Sequence, residues 1–386
     1  MNAPNLRSFT LLFAIMAASL TLMAQPVSPL GKSGNAYFHF TGTIGKIPVT
    51  MDLMQKINRY DYTNNTYDFL GTYYYNRIEA PLQLYGYLDE NNNVVLMEDA
   101  GYESTGRFIG RVGSDALFSG VWMNSDSSRM LKFVLKESYP EGTLGFDVLA
   151  MADSLKLKPD MKESPQATFG QSWLQLRKTK VAATDQFVEN ALRNGMIGDS
   201  LGRLYKDIPK IFTLLKNDFF ARYKEEVNEE IFDENETYLT GMWNYEESSD
   251  AFVFYNQNSR LTIGYSSFAY YGGAHGNYGT SFETYDIKNG KRIKLSDVFK
   301  PGYEEKISPM LERALRRQFG LTADQGLSEV LFEDSISLTE NFGLTGKGIF
   351  FNYVPYEIAP YAAGEIKIFV PFAELANLLQ PAFLQK

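Results

Sequence analysis

The chain has 386 residues, 46 of them acidic and 37 basic, for a formal net charge of −9, and 15% of it is aromatic. That balance argues against nucleic acid or anionic lipid as a partner, since both ask for a basic surface, and would attract a basic partner instead. The absence of cysteine removes disulfides, zinc–thiolate sites, thiol nucleophiles and lipidation at a cleavage-site cysteine.

Met1 to Ala24 carries Arg7 as its only charge, then an apolar run from Phe9 to Met23, then Ala24-Gln25-Pro26. This is the pattern of a cleavable export signal. The run is shorter than the roughly 20 residues a spanning helix needs, and Gln25-Pro26-Val27-Ser28-Pro29 would stop a helix. The expected location is therefore the periplasm or the cell surface, with no transmembrane segment after cleavage.

From Ala36 to Glu137 the residues alternate with period two between glycine and asparagine turns. The pair Ala36–Ile44 and Ile47–Leu53 flanks a hairpin turn at Gly45-Lys46. Further strands are predicted over 69–77, 82–88, 94–98, 106–112, 116–122 and 130–135. About eight short strands at this spacing read as a meander closing into a small barrel or sandwich. Between Ser138 and Ser172 the alternation is lost among Pro140, Pro159 and Pro165, which predicts a linker.

Residues 173–380 mix helix and strand. Leu204, Ile208, Ile211, Phe212, Leu215, Phe219 and Tyr223 share one face, predicting a long helix over 200–231. A shorter helix is expected from Thr184, as N-cap, to Arg193, and another long one over 303–319. Strands are expected over 251–255, 260–271, 278–287, 337–344, 349–353 and 365–370. The fold class is α+β: an N-terminal all-β barrel, then an α+β domain with mostly antiparallel sheet and two longer helices.

Two stretches are sharper than composition. One is Tyr270-Tyr271-Gly272-Gly273-Ala274-His275-Gly276-Asn277, followed by Leu295-Ser296-Asp297-Val298-Phe299. The other runs from Phe351 to Gly364 through Pro355-Tyr356-Glu357 and Pro360-Tyr361, followed by Val370-Pro371-Phe372. Together they resemble the extracytoplasmic domain family shared by the anti-sigma factor RsiV and the non-catalytic part of the deacetylase PdaC, over about 187–380. The resemblance implies an α+β domain outside the membrane that meets other molecules without catalysis, as the RsiV region meets lysozyme. It carries over neither sigma-factor regulation nor deacetylation, because the segments for those activities are missing. The barrel half is loosely similar to small lipocalin-like barrels, which leaves a small apolar ligand inside it as an option.

The glycines at 272, 273 and 276 permit a sharp turn that presents His275 and Asn277, with Tyr271 beside them. His275 either locks that turn on a backbone carbonyl or contacts a ligand; a metal or catalytic role is the least favoured, with His39 as the only other histidine. Pro355 and Pro360 stiffen the loop that carries Tyr356, Glu357 and Tyr361. These tyrosines either cover the sheet or present a binding surface at low entropic cost. The candidate ligand-binding residues are thus Tyr271, His275, Asn277, Tyr356, Glu357 and Tyr361, with no catalytic residue, metal or cofactor expected.

The expected function is non-catalytic binding of a protein, such as a cationic lysozyme-like one, or of a cell-wall glycan. The alternative is a cell-wall hydrolase, or an accessory enzyme, with a carboxylate-based site between the two halves.

Overall fold

The computed structural model describes residues 34–57, 67–99, 105–113, 117–227 and 241–384. The export signal expected over 1–24 lies outside them. Eight strands open the described chain: β1 (Ala36–Ile44), β2 (Ile47–Ile57), β3 (Tyr67–Tyr75), β4 (Leu82–Leu88), β5 (Val94–Asp99), β6 (Gly106–Val112), β7 (Leu117–Asn124) and β8 (Met130–Glu137). Each pairs antiparallel with its chain neighbour, and β1 closes on β8, so the expected barrel forms.

Alternation places one residue in two inside the barrel. Phe40, Tyr73, Phe108, Phe118 and Phe133 fill it, with edge-to-face ring contacts such as Phe118–Phe133 at 4.9 Å and Tyr73–Phe108 at 5.0 Å. An eight-stranded barrel has an interior just wide enough for side chains, and here rings occupy the space an apolar ligand would take. One charge is buried among them. Glu98 accepts hydrogen bonds from Tyr73 Oη at 2.5 Å, Thr105 Oγ1 at 2.7 Å and Trp122 Nε1.

The stretch 138–172, expected as a linker, instead contains β9 (Phe146–Lys156) and most of β10 (Gln166–Leu176). Both belong to a six-stranded sheet with β11 (Tyr245–Gln257), β12 (Arg260–Tyr271), β13 (Asn277–Asp286) and β14 (Lys291–Arg292), in the order β14-β13-β12-β11-β10-β9. The prolines fall in the connections on either side of these strands, so they did not prevent pairing. Among the described strands, only β10 and β11 pair in parallel.

The crossover between them carries α1 (Ala182–Leu204) and α2 (Ile208–Glu226), which pack on β9, β10 and β12. The long helix expected from residue 200 is interrupted at Tyr205–Asp207. Pro209 suits only a first turn, and Asp207 caps that turn by accepting from Lys210 N at 3.1 Å. The α1 N-cap is Val181, not Thr184. With α4 (Glu304–Phe319), preceded by the single turn α3 (Leu295–Val298), the domain has three longer helices where two were expected.

A small sheet completes the fold: β15 (Phe342–Leu344), β16 (Gly348–Tyr353) and β17 (Ile366–Pro371), followed by the single turn α5 (Phe372–Leu375). It packs on β12 and β13, and Phe350 reaches Phe254 of β11 and Phe282 of β13 at 4.5 and 4.8 Å, while α4 covers β17. Among the described residues, no helix is long and apolar enough to cross a membrane.

The outer face of β1, β2 and β3 packs against β9 and β11 through polar groups as well as apolar ones. Asp52 accepts from Tyr37 Oη at 2.6 Å and faces His39 Nδ1 at 2.7 Å, while Asn256 Nδ2 donates to Tyr37 Oη at 2.9 Å. All four residues are almost wholly buried.

Candidate functional site

The turn from β12 to β13 reverses the chain over Gly272 and Gly273, at φ of +84° and +98°, values that favour glycine. Gly276 has a different constraint: a Cβ there would lie 2.5 Å from the Phe268 ring. The β16–β17 connection is stiffened by Pro355 and Pro360 and bends at Tyr356, whose φ is +70°. Its turn closes through Tyr356 N to Ala359 O at 3.1 Å and Glu357 N to Val354 O at 3.0 Å.

These two loops meet. The His275 ring stacks on Tyr361, with centroids 3.9 Å apart and planes at 23°, and Tyr278 packs edge-on to the other ring at 5.5 Å. Tyr361 Oη donates to Gly276 O at 2.7 Å, and His275 Nδ1 lies 3.0 Å from the same carbonyl. A carbonyl only accepts, so Nδ1 carries the proton; in the neutral ring Nε2 then accepts from Tyr356 Oη at 3.2 Å. His275 therefore locks the turn and also holds an exposed tyrosine. Tyr356 itself is 55% exposed.

The other expected residues divide. Asn277 is exposed beside the cluster and lines a shallow groove of about 430 Å³ with Ser267, Tyr278, Ser281 and Asn341. Glu357 is on the cluster loop, but its Oε2 accepts from Val354 N at 3.0 Å and so serves the turn. Tyr271 is not brought to the cluster. Its hydroxyl bonds Glu247, which also accepts from Arg222 Nη2 at 2.8 Å, and burial, then the Glu247 carboxylate, pushes its phenol up to about 12.

Two features escaped the sequence reading. Tyr278 follows Asn277 directly, and its neighbourhood with the tyrosine loop is tertiary. The signal for the other, the His39–Asp52 pair, is the hairpin register: the turn at Gly45-Lys46 sets Ile44 opposite Ile47, and counting outward puts His39 opposite Asp52. That dyad is sealed between barrel and sheet, where no substrate reaches it.

A separate cleft of about 340 Å³ between the barrel and the six-stranded sheet gathers Lys56, Asp68, Ser172, Glu246 and Asp250. Asp250 is held there by Lys56 Nζ, 2.8 Å from both oxygens, and by Ser172. Partial desolvation raises the exposed Glu246 carboxyl from its ordinary value. Among the described residues, no three histidine, aspartate or glutamate side chains gather as a metal site would require.

Residues 296–373, which include α4, the small sheet and the tyrosine loop, match the family described as a protein of unknown function, DUF3298. The match is confined to the C-terminal region. Two crystal structures of DUF3298 family proteins are similar to this chain. That from Bacteroides fragilis NCTC 9343 is 24% identical with a TM-score of 0.55, over 62% of this chain and 94% of its own. That from Pseudomonas aeruginosa PAO1 is 17% identical with a TM-score of 0.43, over 62% and 97%. The first similarity is one of fold, and the DUF3298 match itself begins after the His275 turn, which packs on it from outside. No curated protein matches the chain.

Proposed function

We propose that this is an exported, non-catalytic binding protein of the cell envelope that recognises a cell-wall glycan through the His275–Tyr356–Tyr361 cluster and the adjoining groove. The observation that carries the reading is Tyr356: more than half exposed, held on a proline-stiffened loop and tied to His275, it belongs to a ring cluster that adjoins, through Tyr278, a groove lined by hydroxyl and amide side chains. Aromatic rings beside serine, asparagine and tyrosine hydrogen-bonding groups suit a sugar, which has apolar faces and hydroxyl edges. The export pattern of Met1–Ala24 and the resemblance to the RsiV and PdaC extracytoplasmic region support an envelope location.

The test is titration of the purified protein with peptidoglycan fragments and, separately, with lysozyme. Saturable binding of the fragments is expected, weakened at least about tenfold, or roughly 1.4 kcal/mol, by Tyr356→Ala. Binding of lysozyme alone would favour a protein partner, and binding of neither would overturn the proposal.

The Glu246 carboxyl favours a second reading, hydrolysis in the cleft between barrel and sheet, because a raised carboxyl can act as a general acid. Turnover of peptidoglycan that Glu246→Gln abolishes would establish it.

A further inference from the structure

A third cleft, of about 280 Å³, lies between β4 of the barrel and the α4–β17 face of the α+β domain. Glu365, at its wall, has a side chain only 8% exposed, and its Oε2 accepts from Lys367 Nζ at 2.9 Å. Its other oxygen, Oε1, is buried without a hydrogen-bond partner among the described residues, and so is Gln83 Oε1 on the barrel side. Buried polar atoms are rarely left unpaired, and a carboxylate oxygen is satisfied by a donor. The barrel and the domain thus bring two unpaired acceptors to one small cavity.

The rest of the lining limits which donors suit the cleft. Two carboxylates, Glu365 and Asp99, face two cations, Lys367 and Arg317, so the formal charge of the wall sums to zero. A net cation or anion gains nothing overall from such a wall, whereas a molecule with separated charges of both signs does. Arg317 lies at the mouth, about half exposed, and spends one nitrogen on Glu374 at 3.0 and 3.1 Å, leaving other N–H groups available. Pro81, Leu82 and Phe369 supply an apolar patch between the polar groups.

We infer that this cleft binds a small zwitterion, an α-amino acid or a dipeptide with free termini, its ammonium on Glu365 Oε1 and Gln83 Oε1 and its carboxylate towards Lys367 and Arg317. The cleft neighbours the tyrosine cluster through Tyr278, whose phenol is raised by burial, then by Tyr361, Glu365 and Asp99. The inference goes beyond the proposed function and does not rest on it, because Tyr356 and the glycan groove are not part of the cleft.

The test is calorimetric titration of the whole protein with alanyl-alanine and with N-acetyl-alanyl-alanine, in which the ammonium is gone. Saturable binding of the free dipeptide is expected, weakened about tenfold or more by acetylation. Glu365→Gln should weaken the free dipeptide to a similar extent with an unchanged melting temperature, and Tyr356→Ala should leave it alone. Equal binding of the acetylated dipeptide, full binding by folded E365Q, or no saturable heat with alanyl-alanine would each overturn the inference. Should E365Q fail to fold, the comparison of the two dipeptides on the unmodified protein still decides. Loss of glycan binding in Tyr356→Ala with intact dipeptide binding separates the two sites.

Discussion

Replacing Glu98 by alanine removes the acceptor that three donors share inside or at the rim of the barrel. Thr105 is exposed and can turn to water, but Tyr73 Oη and Trp122 Nε1 are left where water does not reach. Each stranded donor costs about 1–3 kcal/mol, so Glu98→Ala should destabilise by about 2–6 kcal/mol, a large part of the roughly 5–15 kcal/mol that holds a protein folded. Tyr73→Phe alone should cost about 1.5–3 kcal/mol, because it removes a bond to a charged group, but in the Glu98→Ala background it removes a stranded donor and should stabilise. Urea unfolding followed by circular dichroism, with tryptophan fluorescence as a second probe, measures all four proteins. A cost below about 1 kcal/mol for Glu98→Ala, or the same loss for Tyr73→Phe in both backgrounds, would refute the assignment of Glu98 as the hub of the barrel interior.

Three further outcomes are expected. Asp52→Ala should destabilise by about 2–5 kcal/mol, since it leaves the buried Tyr37 hydroxyl and His39 ring without their shared acceptor, as denaturant unfolding would report. Gly276→Ala should cost about 1–3 kcal/mol by driving a methyl group into Phe268, and should weaken glycan binding with it, as thermal melting and titration of the same sample would show. Stability should also fall at alkaline pH. Burial lowers the Lys56 pKa, but attraction and hydrogen bonding to Asp250 outweigh it and leave the folded value above 10.5; Tyr271 is raised to about 12. Both groups hold their protons more tightly when folded, so their contributions are complete below about pH 10 and disappear as pH rises through the folded values. Melting temperature against pH checks this, and Glu247→Gln should shrink the Tyr271 part.

The barrel was legible because its pairings are local: each alternating run pairs with the next in sequence, and Leu82–Leu88 and Gly106–Val112 fall where the pattern puts them. Strands β9 and β10 were not legible. In β10, Ala167, Phe169, Trp173 and Leu174 are buried, but Gln166, Gln171 and Ser172 stand among them because that strand also meets the polar joint with the barrel. The apolar periodicity over 200–231 runs on past the break because Ile208 and Ile211 keep its spacing, while Pro209 begins a new helix. At the candidate site, the rigid turns were readable from glycine and proline, and the meeting of His275 with Tyr356 and Tyr361 was implied by nothing local. Tyr271 belongs to the same motif in sequence, yet strand β12 carries it to Arg222 and Glu247.

The parallel pairing of β10 with β11 sets an order for assembly. Every barrel strand pairs with its neighbour in sequence, save for the closure of β1 on β8, so the barrel can zip up strand by strand. Strand β11 pairs with β10 only after α1 and α2 have been threaded across the sheet, a far longer loop to close. Refolding should therefore be biphasic, with fluorescence of Trp122 in the barrel settling before that of Trp173 on β10.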